Sequence, residues 1–535
     1  MASYFIALIL FLGLSCSALP IDSENLIASL DYGKFQGAYS ESYNITYWRK
    51  IPFAAPPVGE NRFRGPQPPA PVSGIYNSDE AFDECPQRTV NGSEDCLYLG
   101  LYSRPWNPSQ PLRPVVVVFF GGGFIEGSAS FNIPPSAYPI LNVSTSNDII
   151  FLYPNYRTNA FGFLPGKEIG EDPKSDLNPG LLDQHVALEW THKYIEAFGG
   201  DPKNVSIWGQ SAGAGSVVAH VIANGGKTDP PLFSKALTSS PYWSKTYNYD
   251  APESQAIYDN FVSLAGCSSA SDTLACLKQA DVQTLRTAAL NISGSHTYTT
   301  SSYTWSPVID GKFLTQTLSQ ATINGEVNSD YGFGFYNTHE GENFIPGGLN
   351  SAQDSGSPPF NSSTASFMNW LQGFLPGFDE RNIQRILEHY PAVGTSEEST
   401  YNTTYEQAQL IYRDITLACP TYWTARAAHK KSYVGEYSIP PAKHASDTIY
   451  WNQVNAVQKT QPEIYAGFAG AFASFFQTGD PNAHKLTDES QPGVPENWRT
   501  GEEYVVENLG FLNVRVDELN KRCGFWRELA DHVPI

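Results

Sequence analysis

Five residues constrain this chain more than any others. Gly209-Gln210-Ser211-Ala212-Gly213 sits between the apolar run Val205-Ser206-Ile207-Trp208 and the stretch Ala214-Gly215-Ser216-Val217-Val218-Ala219. The pattern predicts a strand, a sharp turn and a helix, with a serine at the apex. A G-x-S-x-G turn holds its serine in a strained backbone, and the glycines two residues before and after it remove Cβ atoms that would collide. The hydroxyl is thereby lifted into the open. The helix that follows aims its free N–H groups and positive dipole end at the same place, which makes the amide of Ala212 a candidate donor to a developing oxyanion. The same five-residue pattern also occurs in ordinary surface turns, so the rest of the chain has to decide.

Residues 114 to 120, Pro-Val-Val-Val-Val-Phe-Phe, are apolar without alternation, as expected of a strand covered on both faces. Residues 148 to 153 read the same way. Between them and the serine strand, Leu182, Val186, Trp190 and Tyr194 repeat at i+4 and predict a helix. A further strand is expected near Lys235-Ala236-Leu237-Thr238. Strands alternating with helices specify a mostly parallel α/β sheet. From about 250 to 330 and 350 to 430 the pattern turns helical and irregular, and these stretches are expected to lie over the sheet's edge. No linker, repeat or block of like charge divides the 535 residues, so 19–535 reads as a single domain.

The apolar run Tyr4 to Leu14 ends in the small residues Ser15-Cys16-Ser17-Ala18. This is a signal-peptide pattern over 1–18, although no Lys or Arg precedes it. The run is shorter than the roughly 20 residues a spanning helix needs, and no anchor-like tail follows Phe511. An extracellular protein without a stable membrane anchor is expected. Of seven cysteines, Cys16 falls in the leader and leaves Cys85, Cys96, Cys267, Cys276, Cys419 and Cys523, an even number that suits an oxidising compartment. Glycosylation sequons at Asn44, Asn91, Asn142, Asn204, Asn291, Asn361 and Asn402 agree with a secretory route. Asn204, close to the serine strand, is the one most open to being unmodified. A formal net charge of −21 argues against nucleic acid or anionic membranes as partners. Oligomeric state is not encoded in any pattern here.

A serine hydroxyl is a poor nucleophile at neutral pH and needs a base, normally a histidine oriented by a carboxylate. On a strand–elbow–helix scaffold the chain order is Ser, acid, His. His389, His429, His444, His484 and His532 all lie downstream. His389 and His429 fall in helical patterns, and His484 and His532 in polar segments. His444 instead occupies the loop Pro440-Pro441-Ala442-Lys443-His444 leaving an expected strand over 432–439, where a base can swing over a sheet. Glu340 follows the aromatic run Tyr331-Gly332-Phe333-Gly334-Phe335 in a strand-end turn. A metal site at His339-Glu340 lacks the second histidine four residues on. Gly121-Gly122-Gly123-Phe124 directly follows the Val-rich strand, and glycines there let backbone N–H groups approach a substrate oxygen. The alternative is a flexible turn, which the use of four residues where a hairpin needs two disfavours.

Several separate motifs resemble the type-B carboxylesterase and cholinesterase-like family of α/β-hydrolases, in particular its secreted fungal members. They are Ile51 to Gly59 with Arg62-Phe63, Ser93-Glu94-Asp95-Cys96-Leu97-Tyr98-Leu99, Asn178-Pro179-Gly180-Leu181-Leu182-Asp183-Gln184, Phe198-Gly199-Gly200-Asp201-Pro202 and Thr478-Gly479-Asp480-Pro481-Asn482. The resemblance runs from about Tyr32 to Trp526. It implies an α/β-hydrolase fold, Ser211 as nucleophile, Glu340 as acid and His444 as base, with Gly122, Gly123 and Ala212 as oxyanion donors. It also implies disulfides Cys85–Cys96, Cys267–Cys276 and Cys419–Cys523.

Three departures narrow the expectation. Phe120 precedes the glycines where relatives often have His or Tyr. Gln210 stands where cholinesterases carry a glutamate that favours cationic substrates. The loop between Cys85 and Cys96 is short and has no tryptophan, which disfavours choline esters and a lipase lid. The resemblance therefore implies a secreted serine hydrolase that cleaves carboxylic esters of small molecules through an acyl-enzyme, without metal or organic cofactor. The alternatives are an acyltransferase or specialised natural-product esterase using the same triad, and a non-catalytic cholinesterase-like binding protein.

Overall fold

The computed structural model describes residues 26–144, 148–293, 304–396 and 400–535; the leader expected over 1–18 lies outside them. Its centre is an eleven-stranded sheet. In chain order the strands are β1 (Ala38–Ser40), β2 (Ile45–Pro52), β3 (Tyr98–Ser103), β4 (Arg113–Phe119), β5 (Ile150–Pro154), β6 (Gly200–Gln210), β7 (Lys235–Ser239), β8 (Tyr331–Asn337), β9 (Lys431–Tyr437), β10 (Glu502–Glu507) and β11 (Gly510–Arg515). Across the sheet they lie in the order β11-β10-β9-β8-β7-β6-β4-β5-β3-β2-β1. Every pair from β5 to β10 is parallel. The pairs at both margins are antiparallel. This is an α/β-hydrolase fold.

The unalternating apolar run in β4 has a direct cause. Val115, Val117 and Phe119 enter one core with Leu181, Leu188, Val217 and Val221, from the helices α1 (Pro179–Tyr194) and α2 (Ala212–Ile222). Val116 and Val118 enter a second core with Phe468, Phe472 and Phe476 of α3 (Pro462–Thr478). Because both faces are covered, Val115 to Phe119 are apolar at every position. Each fully buried side chain of this size contributes about 1.5–3 kcal/mol.

In α1 the i+4 series is not the deepest face. Leu182, Val186 and Tyr194 are half-buried, while Leu181, Asp183, Gln184 and Leu188 are buried. Asp183 can be buried because Arg157 forks onto it, with Nη2–Oδ1 at 2.6 Å and Nε–Oδ2 at 2.8 Å. His429, in a helical pattern by sequence, lies in the loop after the helix Cys419–Arg426, and its Nε2 faces the Val327 carbonyl at 2.9 Å. The stretches beyond 250 and 350 are largely helical, including Pro252–Leu264, Val282–Ser293, Thr364–Phe374 and Thr404–Arg413.

Three disulfides join Cys85 to Cys96, Cys267 to Cys276 and Cys419 to Cys523. The last ties two helices across 104 residues of sequence. Among the sequons, Asn44, Asn91, Asn142, Asn291 and Asn402 are exposed, and Asn361 is half-buried. Asn204 is half-buried too; its Oδ1 accepts from Lys235 Nζ and its Nδ2 faces the Gln477 carbonyl.

One topological feature positions the site. After β4 the chain crosses to β5 on one side and then returns to β6 on the other. The loops leaving β4 and β6 therefore diverge, opening a crevice at the carboxyl ends of the strands, where open α/β sheets bind ligands.

Candidate active site

Ser211 sits at that crevice, in the elbow between β6 and α2. Its backbone is held at φ 58° and ψ −127°, a strained conformation of a kind that costs of order 1–3 kcal/mol. The elbow is fixed from below. The Ser211 N–H donates to the Ser239 carbonyl at the end of β7 at 3.1 Å, and the Ser211 carbonyl accepts from Tyr242 N and Gly215 N, both at 2.9 Å. Gly213 packs against the end of β4, where a Cβ would stand 2.0 Å from the Phe119 carbonyl oxygen. That contact explains the second glycine of the motif.

The loops after β8 and β9 bring two more side chains to the serine. His444 Nε2 is 2.8 Å from Ser211 Oγ, and its Nδ1 is 3.0 Å from Glu340 Oε2. Glu340 is fully buried and its other oxygen accepts the Asn337 N–H at 3.2 Å. A carboxylate can only accept, so the imidazole proton belongs on Nδ1, leaving the Nε2 lone pair for the serine hydroxyl.

The two loops are bolted together. His444 N donates to Asn343 Oδ1 at 3.0 Å, Asn337 Nδ2 to the Lys443 carbonyl at 2.7 Å, and His339 N to the Ala442 carbonyl at 2.9 Å. A Lys443–Glu342 ion pair at 2.9 Å adds a surface tie. Neither Asn337 nor Asn343 carries a sequence signal. Asn337 ends β8 and Asn343 ends the short turn after it, and neither stands out until the two loops meet.

A further carboxyl lies behind Glu340. Asp447, buried, accepts from Asn337 Nδ2 at 3.2 Å and Trp451 Nε1 at 3.1 Å. Burial pushes it up to about 6, against those two hydrogen bonds; Glu340 raises it further and His444 lowers it. The remaining surroundings are aromatic. Phe344 meets the His444 ring edge-on at 4.9 Å and stacks on Tyr412 at 5.3 Å.

On the other flank of Ser211 lies the turn that leaves β4. Gly122 and Gly123 have φ of 114° and 64°, and Gly121 just before them lies against the elbow, where a Cβ would stand 2.7 Å from the Gln210 carbonyl oxygen and 3.1 Å from Ser211 Cβ. Phe120 stacks on Tyr156 with ring centres 4.0 Å apart, and the Tyr156 hydroxyl donates to the Phe120 carbonyl at 2.5 Å. Gln210 Nε2 lies 3.4 Å from His444 Nε2. Among the described residues, no group of three or more His, Cys, Asp or Glu is placed to hold a metal ion.

A family model described as the carboxylesterase family matches residues 24–526. The chain belongs to the carboxylesterase family. It is similar to a protein described as secreted lipase 4 of Gibberella zeae, 29% identical over 96% of this chain and 95% of that one. It is also similar to carboxylesterase patB of Penicillium expansum, 28% identical over 85% of this chain and 79% of that one. Among solved structures, Aspergillus niger EstA superposes with a TM-score of 0.80 at 26% identity, covering 95% of this chain and 99% of the other. This carboxylesterase-family protein is thus a carboxylic ester hydrolase. Among its described residues no helix is long and apolar enough to cross a membrane.

Proposed function

We propose that the protein is an exported serine esterase working through an acyl-enzyme on small, uncharged carboxylic esters, with the chain beyond the leader forming one catalytic domain. The observation that carries this reading is the relay in which His444 lies 2.8 Å from Ser211 Oγ and 3.0 Å from the buried Glu340. His444 takes the serine proton as Oγ attacks the ester carbonyl. Glu340 holds the ring in the right tautomer and stabilises the imidazolium that forms. The backbone N–H groups of Gly122, Gly123 and Ala212 receive the negative charge that develops on the carbonyl oxygen. His444 then protonates the departing alcohol, and a water molecule, activated by the same histidine, releases the acid.

Gln210 in place of a carboxylate beside the serine supports an uncharged substrate over a cationic one. Export is supported by the leader-like N-terminus, by three disulfides and by relatives described as secreted. The test is hydrolysis of p-nitrophenyl butyrate by the wild type and by Ser211→Ala. An initial burst of nitrophenol in the wild type, absent in the variant, is expected. Undiminished turnover in the variant would refute the nucleophile. An added alcohol diverting product from acid to new ester would identify acyl transfer in place of hydrolysis.

A further inference from the structure

The loop closed by Cys85–Cys96 is bonded to Glu126 and Gly127, just past the glycine turn, by side chains for which the reaction scheme above has no use. Gln87, fully buried, presents both ends of its amide to a single residue. Gly127 N–H donates to Gln87 Oε1 at 2.6 Å, and Gln87 Nε2 donates to the Gly127 carbonyl at 3.1 Å and to Glu84 Oε2 at 2.6 Å. Gly127 lies immediately behind the turn. At its φ of 125°, a Cβ would stand 2.3 Å from the Phe120 ring and 2.5 Å from the Gly121 carbonyl oxygen. The next residue, Arg88, forks onto Glu126, with Nε–Oε2 at 2.9 Å and Nη2 bonded to Oε1. Glu126 N and Ile125 N in turn donate to the Gly122 carbonyl at 3.2 and 3.0 Å.

The loop is itself anchored around Gln87. Asn159 Nδ2 donates to the Pro86 carbonyl at 2.7 Å, Asn155 Nδ2 to the Cys96 carbonyl at 2.9 Å, and Arg286 Nε to the Gln87 and Val90 carbonyls at 2.6 and 2.9 Å. Within itself the glycine turn is held by backbone bonds, from Ile125 N and Glu126 N to the Gly122 carbonyl. Three glycines in a row have no side chains to pack and the largest conformational freedom of any residue.

We propose that Gln87 is a positioning residue for ester cleavage: the Cys85–Cys96 loop is a fixed brace that sets the Gly122 and Gly123 N–H groups against the oxygen of the tetrahedral intermediate. Arg88 and Glu126 form a second, weaker strut, since Arg88 is largely exposed. The proposal rests on the reading of those two glycines as oxyanion donors. Donors aimed at the transition state act on kcat far more than on substrate binding, and a displacement of about 1 Å costs roughly 100-fold. The loop's shortness then has a use: it is a clamp on the backbone where a longer loop would serve as a cover.

The experiment compares wild type, Gln87→Met, Arg88→Glu and the charge-swapped Arg88→Glu/Glu126→Arg protein. Gln87→Met keeps the length of the side chain and removes its three bonds. Its kcat for p-nitrophenyl butyrate should fall about 10- to 100-fold with KM nearly unchanged. Its affinity for an aliphatic trifluoromethyl ketone, whose serine adduct places an oxyanion in the same position, should weaken in proportion. Arg88→Glu should lose a few-fold in both quantities, and the charge swap should recover them. Gln87→Met with a lowered melting temperature but wild-type kcat and ketone affinity would overturn the proposal, because a merely structural brace predicts that result. A rise in KM alone would overturn it equally. Should Gln87→Met fail to fold, unchanged ketone affinity across the Arg88 series would overturn it. If Ser211→Ala kills turnover and the ketone binds the wild type, those failures sink the brace alone. If the ketone does not bind the wild type, the oxyanion reading falls and the brace falls with it.

Discussion

The two flanks of Ser211 are built on opposite plans. On the proposed acid–base flank the acting groups are side chains, and residues 233 and 104 positions apart in sequence meet directly at 2.8 and 3.0 Å. On the proposed oxyanion flank the donors are backbone N–H groups of residues with little or no side chain, and Gln87 and Arg88 from a neighbouring loop bond to Gly127 and Glu126 just past them. The first flank can be dismantled one atom at a time. The second can be reached only through what surrounds it. The same contrast governs how each flank responds to substitution.

The largest effect belongs to the side-chain flank. Ser211→Ala or His444→Ala should lower kcat by about 10⁴- to 10⁶-fold, and combining them should cost little more, because the two act as one unit. Single-turnover kinetics on the double variant checks this; additive losses would mean that serine and histidine serve separate steps. Glu340→Gln comes next, at roughly 10⁴-fold, because an amide that donates toward Nδ1 selects the wrong tautomer. A loss of less than tenfold would remove Glu340 from the relay. On the backbone flank, Gly213→Ala forces a methyl toward the Phe119 carbonyl, 2.0 Å from the ideal Cβ position. It pries the start of α2 from the end of β4 and should cost about 10²- to 10³-fold in kcat, the scale of one lost oxyanion donor. Ketone affinity falling with kcat would locate that damage in the oxyanion hole; loss of kcat with ketone affinity intact would place it at the serine.

What sequence could reach divides along the same line. The parallel strands were legible because 114–120 is apolar at every position, and both faces of β4 are indeed covered. The elbow was legible because only Gly tolerates the approach between residue 213 and β4. His444 stood out by its place after a strand, whereas Glu340 needed the family resemblance to rise above other acidic loop residues. The helix α1 misled in part: of its i+4 series Trp190 is buried while Leu182, Val186 and Tyr194 are half-buried, and the buried Asp183–Arg157 pair occupies the deeper face. Asn337, Asn343, Asp447 and Gln87 were not legible at all. Their roles come from contacts between loops distant in sequence, and no local spacing encodes such contacts.

Asp447 shows that the side-chain flank also carries a cost in stability. Its carboxyl, pushed up from 3.8 to about 6 mainly by burial, ties stability to pH. Below about pH 4 folded and unfolded chains both hold the proton, and the group makes no difference between them. Between about pH 4 and 6 the folded protein keeps a proton that the unfolded chain has released, so stability falls as pH rises, by about 3 kcal/mol across the window, and remains lost above it. Asp447→Asn cannot titrate and keeps one of the two accepted hydrogen bonds. Relative to the variant, the wild type should therefore lose ground steadily in melting temperature from pH 4 to 6 and hold a constant offset at higher pH. Curves that stay parallel throughout would show that this carboxyl is ionised in the folded protein across the whole range. Two adjacent buried negative charges, Asp447 and Glu340, would then face the imidazole, and the His444 imidazolium would have two counter-charges where the relay described above supplies one.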